Sequence, residues 1–246
     1  MAHPFEVRKD IEVDATPEEV WEAIATGPGL DSWFMGSNEV EPGEGGKVRM
    51  TLPGWSFEST ITVWDPPSRL RTETLPGEDG ASMAFEYLVE GRQGGATVVR
   101  FVHSGFLAGD GWEDEYEALK RGDPMYFLKL AEYLTYFPGR RAVPVDVYGP
   151  QTDADRAWKA IQTGLGLPDG VSVGDRVRLA PEGVPAMEGV IDYLSDEFLG
   201  IRTGDGMYRF IHGFDGTVVL GHHLFSSVDP EEAQLAWQSW LERSLA

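Results

Sequence analysis

Five histidines are the first residues to weigh for chemistry, because the chain has no cysteine: His3, His103, His212, His222 and His223. Without cysteine there is no thiol nucleophile, thiolate zinc site, iron–sulfur cluster or disulfide framework. A metal site needs several converging ligands, each oriented by a second partner. His222 and His223 are adjacent, so on a strand they leave opposite faces and cannot share one ion. No metal site and no cofactor is expected. His103 shares an alternating face with Thr97, Val99 and Phe101. Two readings stay open for it: support of the turn that follows, or a polar or proton-transferring group in a pocket. His103-Ser104-Gly105 lacks the G-x-S-x-G of a nucleophile elbow. No G-x-G-x-x-G between strand and helix and no G-x-x-x-x-G-K-[ST] offers a phosphate loop. Glu18-Glu19 and Asp114-Glu115 read as solvated charges on helix surfaces. No catalytic residue is assigned.

The elements that position these groups follow from periodicity. Phe5, Val7, Ile11 and Val13 alternate with charged residues, Lys9 being the exception, which predicts a strand with one wet face. Thr16, Pro17 and Glu18-Glu19 form a helix start, with Val20, Trp21 and Ile24 as its buried stripe. Gly27-Pro28-Gly29 ends it, and residues 30–34 predict a second short helical turn. Strands then follow around Val48 and Met50, Trp55 to Val63, Arg69 to Thr72, Met83 to Val89, and Thr97 to His103. Asp65-Pro66-Pro67 and the 92–95 loop punctuate them. Trp112 to Leu119 predicts one amphipathic helix, and Asp123-Pro124 the start of another, with Leu130, Leu134 and Phe137 on one stripe. Such an apolar helix must be buried, here against the sheet. The class is α+β, with one long helix packed across a curved antiparallel sheet.

The 246 residues carry 41 acidic and 20 basic side chains, a net charge of −21, and both halves are acidic. That argues against duplex DNA or an anionic membrane surface as the main partner. No apolar run approaches the length of a membrane span, and no secretory signal is read at the N-terminus. Cytoplasmic residence is the expectation.

The second half repeats the first. Trp21 to Leu30 and Trp158 to Leu167 share the string W-x-A-I-x-T-G-x-G-L. Val145-Asp146-Val147 replays Ile11-Glu12-Val13. Val177 follows Trp158 as Val48 follows Trp21, at a shorter distance that removes the counterpart of Trp33-Phe34. Ile201-Arg202-Thr203 matches Leu70-Arg71-Thr72, and His222 falls opposite His103. Trp237, Trp240, Leu241 and Leu245 lie on a final helix. Two domains are expected, residues 1–139 and a contracted, degenerate copy at 140–246. The copy is assigned a structural or interface role, its tryptophan helix packing on the first unit, without an open pocket of its own.

Several ordered motifs in the first copy resemble a known family: V-D-A-T-P-E-E-V-W-E-A-I at 13–24, L-D-S-W-F at 30–34, G-E-G-G-K-V at 43–48, W-D-P-P-S-R-L at 64–70 and T-V-V-R-F-V-H-S-G-F at 97–106. Trp112 and the helix after it complete the pattern. They resemble the helix-grip superfamily, which includes steroidogenic-acute-regulatory-type lipid-transfer domains and polyketide cyclases. Within it, the bacterial proteins similar to the C-terminal domain of the heat-shock-protein ATPase activator are most alike. The resemblance spans about residues 5–137. It implies a bent antiparallel sheet wrapped around a long C-terminal helix, with a cavity between them that often holds a small apolar molecule.

The residues agree with that expectation. The inward face carries Met50, Trp55, Phe57, Met83, Phe85, Tyr87, Phe101 and His103, joined by Tyr126, Leu130 and Tyr133 from the helix. Trp33 and Trp112 complete the candidate ligand-binding set, Trp112 either as a lid edge or as a core seal. Aromatics and methionines with few polar groups suit a small-ligand cavity, although the same side chains could fill a solid core. The leading expectation is a non-catalytic protein that binds a small hydrophobic or aromatic molecule, lipid- or polyketide-like. The alternatives are an enzyme of cyclase or hydrolase type using the same pocket, and a co-chaperone-like protein contacting a heat-shock ATPase. A protein partner or a homodimer stays open.

Overall fold

The computed structural model describes residues 2–92 and 94–246. Gln93, inside the predicted 92–95 loop, lies outside the described residues. The chain divides into two compact units, one ending at Arg141 and one beginning at Ala142.

The first unit opens with β1 (His3–Val13), α1 (Pro17–Ala25) and α2 (Gly27–Leu30). Six strands follow: β2 (Ser37–Val40), β3 (Lys47–Leu52), β4 (Trp55–Asp65), β5 (Arg69–Glu73), β6 (Ser82–Gly91) and β7 (Thr97–Leu107). It closes with α3 (Trp112–Tyr136). The seven strands form one antiparallel sheet in the order β1-β7-β6-β5-β4-β3-β2. Six consecutive strands make a meander, and β1 adds beside β7 with Val7 opposite His103. Alternation dictates the faces: Thr97, Val99, Phe101 and His103 point inward and are buried, while the residues between them are partly exposed. A register shift between Ile61 and Val63 places a bulge in β4, which bends the sheet.

α1 starts on a capping box. The Thr16 hydroxyl accepts from the Glu19 N–H, and the Glu19 carboxylate accepts from the Thr16 N–H. The second short helix begins three residues earlier than the sequence suggested, because Thr26 caps it and Pro28 fits its first turn. α3 is one continuous helix, not two. Pro124 lies inside it. Asp123-Pro124 has the signature of a helix start, but α3 packs against β1 and β7, and that packing outweighs one lost backbone hydrogen bond.

The second unit has the same order without counterparts of α2 and β2: β8 (Val143–Gln151), α4 (Ala154–Leu165), β9 (Arg176–Leu179), β10 (Met187–Leu194), β11 (Phe198–Thr203), β12 (Gly206–His212), β13 (Thr217–Leu224) and α5 (Pro230–Leu245). Its six strands run β8-β13-β12-β11-β10-β9, again antiparallel. β8 sits beside β13 as β1 sits beside β7, so the second unit is a contracted version of the first. Its tryptophans do not form an outer docking face. Trp237 and Trp240 are buried in the unit's own core with Phe210, Leu220 and Ile161. A bare apolar helix face must be covered, and here the unit's own sheet covers it.

Candidate functional site

Between the sheet of the first unit and α3 lies a cavity of ≈ 380 Å³. Its floor follows from strand pairing. Met50 faces Phe57 across β3 and β4, Thr72 faces Phe85, Phe85 faces His103, and Tyr87 faces Phe101. Since alternate residues point inward, these neighbours form one continuous apolar surface. Phe57, Phe85 and Phe101 continue as a chain of rings at 5.9 and 6.2 Å between centroids. Trp55, on the strand edge beside Phe57, is 52% exposed and stands at the rim.

The other wall comes from the α1–β2 connection and from α3. Trp33 is buried and its indole N–H donates to the Ala23 carbonyl at 2.9 Å. Phe34 packs edge-on against Tyr126 of α3. Asn38 is held by the Asp31 carboxylate, which accepts from its backbone N–H at 2.7 Å and its side-chain amide at 3.0 Å. Burial raises the Asp31 carboxyl above the usual range, and the two Asn38 hydrogen bonds oppose that shift.

Ten of the thirteen expected residues line this cavity: Trp33, Met50, Trp55, Phe57, Met83, Phe85, Tyr87, Phe101, His103 and Tyr126. Three do not. Trp112 stacks on His3 at 4.1 Å instead of reaching the cavity. Leu130 is wholly buried in the core, and the Tyr133 hydroxyl donates to the Arg140 carbonyl at 3.1 Å. Leu130 and Tyr133 lie farther along α3, beyond the residues that line the cavity.

Asp123 is the residue whose role sequence reading missed. Its carboxylate lies 3.0 Å from His103 Nδ1, and both side chains line the cavity. His103 is 2% exposed. It therefore braces α3. The turn expected after it is not there, because β7 runs on to Leu107. Gly105 sits inside that strand with φ +151°, and a Cβ on it would lie 2.0 Å from the Ser82 carbonyl oxygen. The signal for Asp123 was its spacing. Asp123, Tyr126, Phe127 and Leu130 share one helical stripe. Beside this pair, burial first and the Asp123 charge second push the Tyr87 hydroxyl well above the ordinary phenol range. Tyr87 therefore stays protonated in ordinary buffers.

The second unit carries an open depression of ≈ 800 Å³ on its surface between α4 and α5. The expectation of no open pocket is thus corrected. Arg156, Lys159 and Arg243 line this depression, alongside Asp155 and Glu182. The Arg156 and Arg243 guanidiniums are spent on the Leu245 and Glu182 carbonyls.

Residues 4–122 match the model of a family described as polyketide cyclase/dehydrase and lipid transport. The first unit has the helix-grip fold, an antiparallel sheet closed by a long C-terminal helix. Solved structures similar to the chain include a Bacillus halodurans protein, BH1534, at 26% identity, TM-score 0.45, covering 55% of this chain and 99% of that one. The Aha1 dimer from Colwellia psychrerythraea is 20% identical, TM-score 0.43, covering 53% and 96%. The di-domain ARO/CYC BexL from the BE-7585A biosynthetic pathway is 16% identical, TM-score 0.46, covering 98% and 97%. No curated protein matches the chain. Among the described residues, no helix is long and apolar enough to cross a membrane.

Proposed function

We propose that the first unit binds a small hydrophobic or aromatic molecule in the space between its sheet and α3. The observation that carries this reading is the ≈ 380 Å³ cavity with its mainly aromatic and methionine lining. That volume lies at the small end of the range of about 300–1,000 Å³ usual for ligand sites. The family match over 4–122 supports the same class of ligand. Binding to the folded form alone stabilises by about 2.7 kcal/mol at a ligand concentration one hundred times Kd. A thermal-shift screen with lipids, polyketide-like polyphenols and simple fused aromatics tests the reading. At least one class should raise the melting temperature of the wild-type protein, and Phe57→Ala should weaken that effect. Silence across the whole panel rejects it.

A second reading, acid–base catalysis in the same space, is favoured by one observation: the buried His103–Asp123 pair. A carboxylate that orients an imidazole is a common arrangement for proton transfer. It predicts turnover of some bound molecule that collapses in His103→Ala. Unchanged turnover in that variant removes His103 from the chemistry.

A further inference from the structure

We infer that the cavity selects an uncharged aromatic molecule bearing a hydroxyl, whose O–H donates to Nε2 of His103. This rests on the binding role proposed above and names its ligand class. The first support is the state of the imidazole. A carboxylate only accepts hydrogen bonds, so the contact with Asp123 Oδ2 at 3.0 Å places the ring hydrogen on Nδ1. In the neutral ring Nε2 is then a bare acceptor. That atom is buried without a hydrogen-bond partner among the described residues, in the wall of a cavity. A buried acceptor left open is costly, and a ligand donor is the group that removes the cost.

The second support is rigidity. The ring is stacked on Phe85 at 4.2 Å and met edge-on by Phe5 at 5.1 Å. It cannot turn away from Asp123 without breaking both contacts, so Nε2 is presented in one direction. Asp123 acts here as a positioning residue.

The third support is charge. Among the described residues no lysine or arginine lines the cavity, and its carboxylates are Glu115 and Asp123. A ligand carboxylate or phosphate would enter an apolar space with no cation to meet it and two anions to repel it. An ammonium fares little better, because Asp123 is engaged by His103 and Glu115 is only partly buried on α3. A phenol-like hydroxyl satisfies Nε2, adds no charge, and leaves the rest of the molecule flat against the rings.

Titration of tryptophan fluorescence with naphthalene, 2-naphthol, 2-naphthoate and 2-naphthylmethylamine at neutral pH tests this. Wild-type protein should bind 2-naphthol about tenfold more tightly than naphthalene, the effect of one net hydrogen bond. The two charged analogues should bind more weakly than 2-naphthol. His103→Phe should lose the hydroxyl preference, with 2-naphthol binding no more tightly than naphthalene. Nitrogen-15 spectra should show the ring protonated at Nδ1, and Asp123→Ala should mix the two tautomers. Equal binding of naphthol and naphthalene, or tightest binding of the naphthoate or the amine, overturns the inference while the cavity remains a binding site. If no probe binds, the binding role itself falls. The wild-type series gives these answers even if a variant does not fold.

Discussion

The two units place a histidine at the same point of the same strand, and the closing helix meets it differently. In the first unit His103 on β7 meets Asp123 of α3 beside open space. In the second, His222 on β13 meets the Trp237 ring at 4.4 Å, with Tyr208 and Phe210 at 5.1 and 5.0 Å. Trp237 and Trp240 occupy the volume between sheet and helix, and the inward residues Val218, Leu220 and His222 have no exposure. The first unit also has the added wall of α2 and β2, which supplies Leu30, Trp33, Phe34, Met35 and Asn38 or the loop that carries them. A cavity in this fold thus needs two conditions. The wall must be long enough to spread the sheet from the helix, and the helix must not bring residues large enough to refill the gap.

The largest expected effect tests whether the second core is as full as it looks. Phe210→Ala removes a wholly buried ring packed on Trp237 and Trp240, and should destabilise the second unit by about 3–5 kcal/mol. Phe57→Ala removes a half-buried ring that already borders open space, and should cost the first unit about 1 kcal/mol. Urea unfolding followed separately for each unit measures both. Equal losses would mean that the cavity is closed in solution.

Filling should reverse the sign. Ser59 lies buried on the cavity floor, so Ser59→Leu should stabilise the first unit by about 0.5–2 kcal/mol and abolish ligand binding. Val218→Phe inserts comparable bulk into the second core and should cost about 1–3 kcal/mol. A stabilising Val218→Phe, or a destabilising Ser59→Leu that still binds ligand, breaks the contrast.

Much of this contrast was legible in the sequence. Strands with a period of two, Thr16 with Glu19, and the repeated tryptophan string all act locally, and local rules hold for them. The cavity floor was legible because alternation assigns faces without knowledge of the tertiary structure. Asp123 was not, since its partner His103 lies on a distant strand, and the following proline gave a stronger local signal of a helix start. Trp112 and Tyr133 failed for a related reason. Period says which residues face inward, but only packing decides whether the inward side meets space, a backbone carbonyl or another ring. Trp237 and Trp240 show the same gap: their spacing predicted a buried stripe, but the first unit was the expected cover and the second unit's own core is where they lie.

The last expected effect appears only in alkali, where each unit holds a raised tyrosine on its inward face. Tyr208 is pushed up by burial first and by Asp205 second, with a Thr203 hydrogen bond opposing. Tyr87 is pushed up by burial and Asp123. In the unfolded chain both titrate near pH 10. Below that pH both states keep the proton and the tyrosines add no pH dependence. Above it the unfolded state loses a proton that the folded state retains, so stability falls as pH rises, by about 1.4 kcal/mol per pH unit for each tyrosine. The fall continues until the folded hydroxyl titrates. Both hydroxyls are pushed well above that range, so the two slopes should be alike between pH 10 and 11. Urea unfolding at pH 9, 10 and 11, with Tyr87→Phe and Tyr208→Phe isolating each contribution, measures the two slopes. A Tyr87 slope clearly shallower than that of Tyr208 would mean that water entering the first unit's cavity hydrates the Tyr87 phenolate, and the difference between the units would then lie in solvent access as well as in shape.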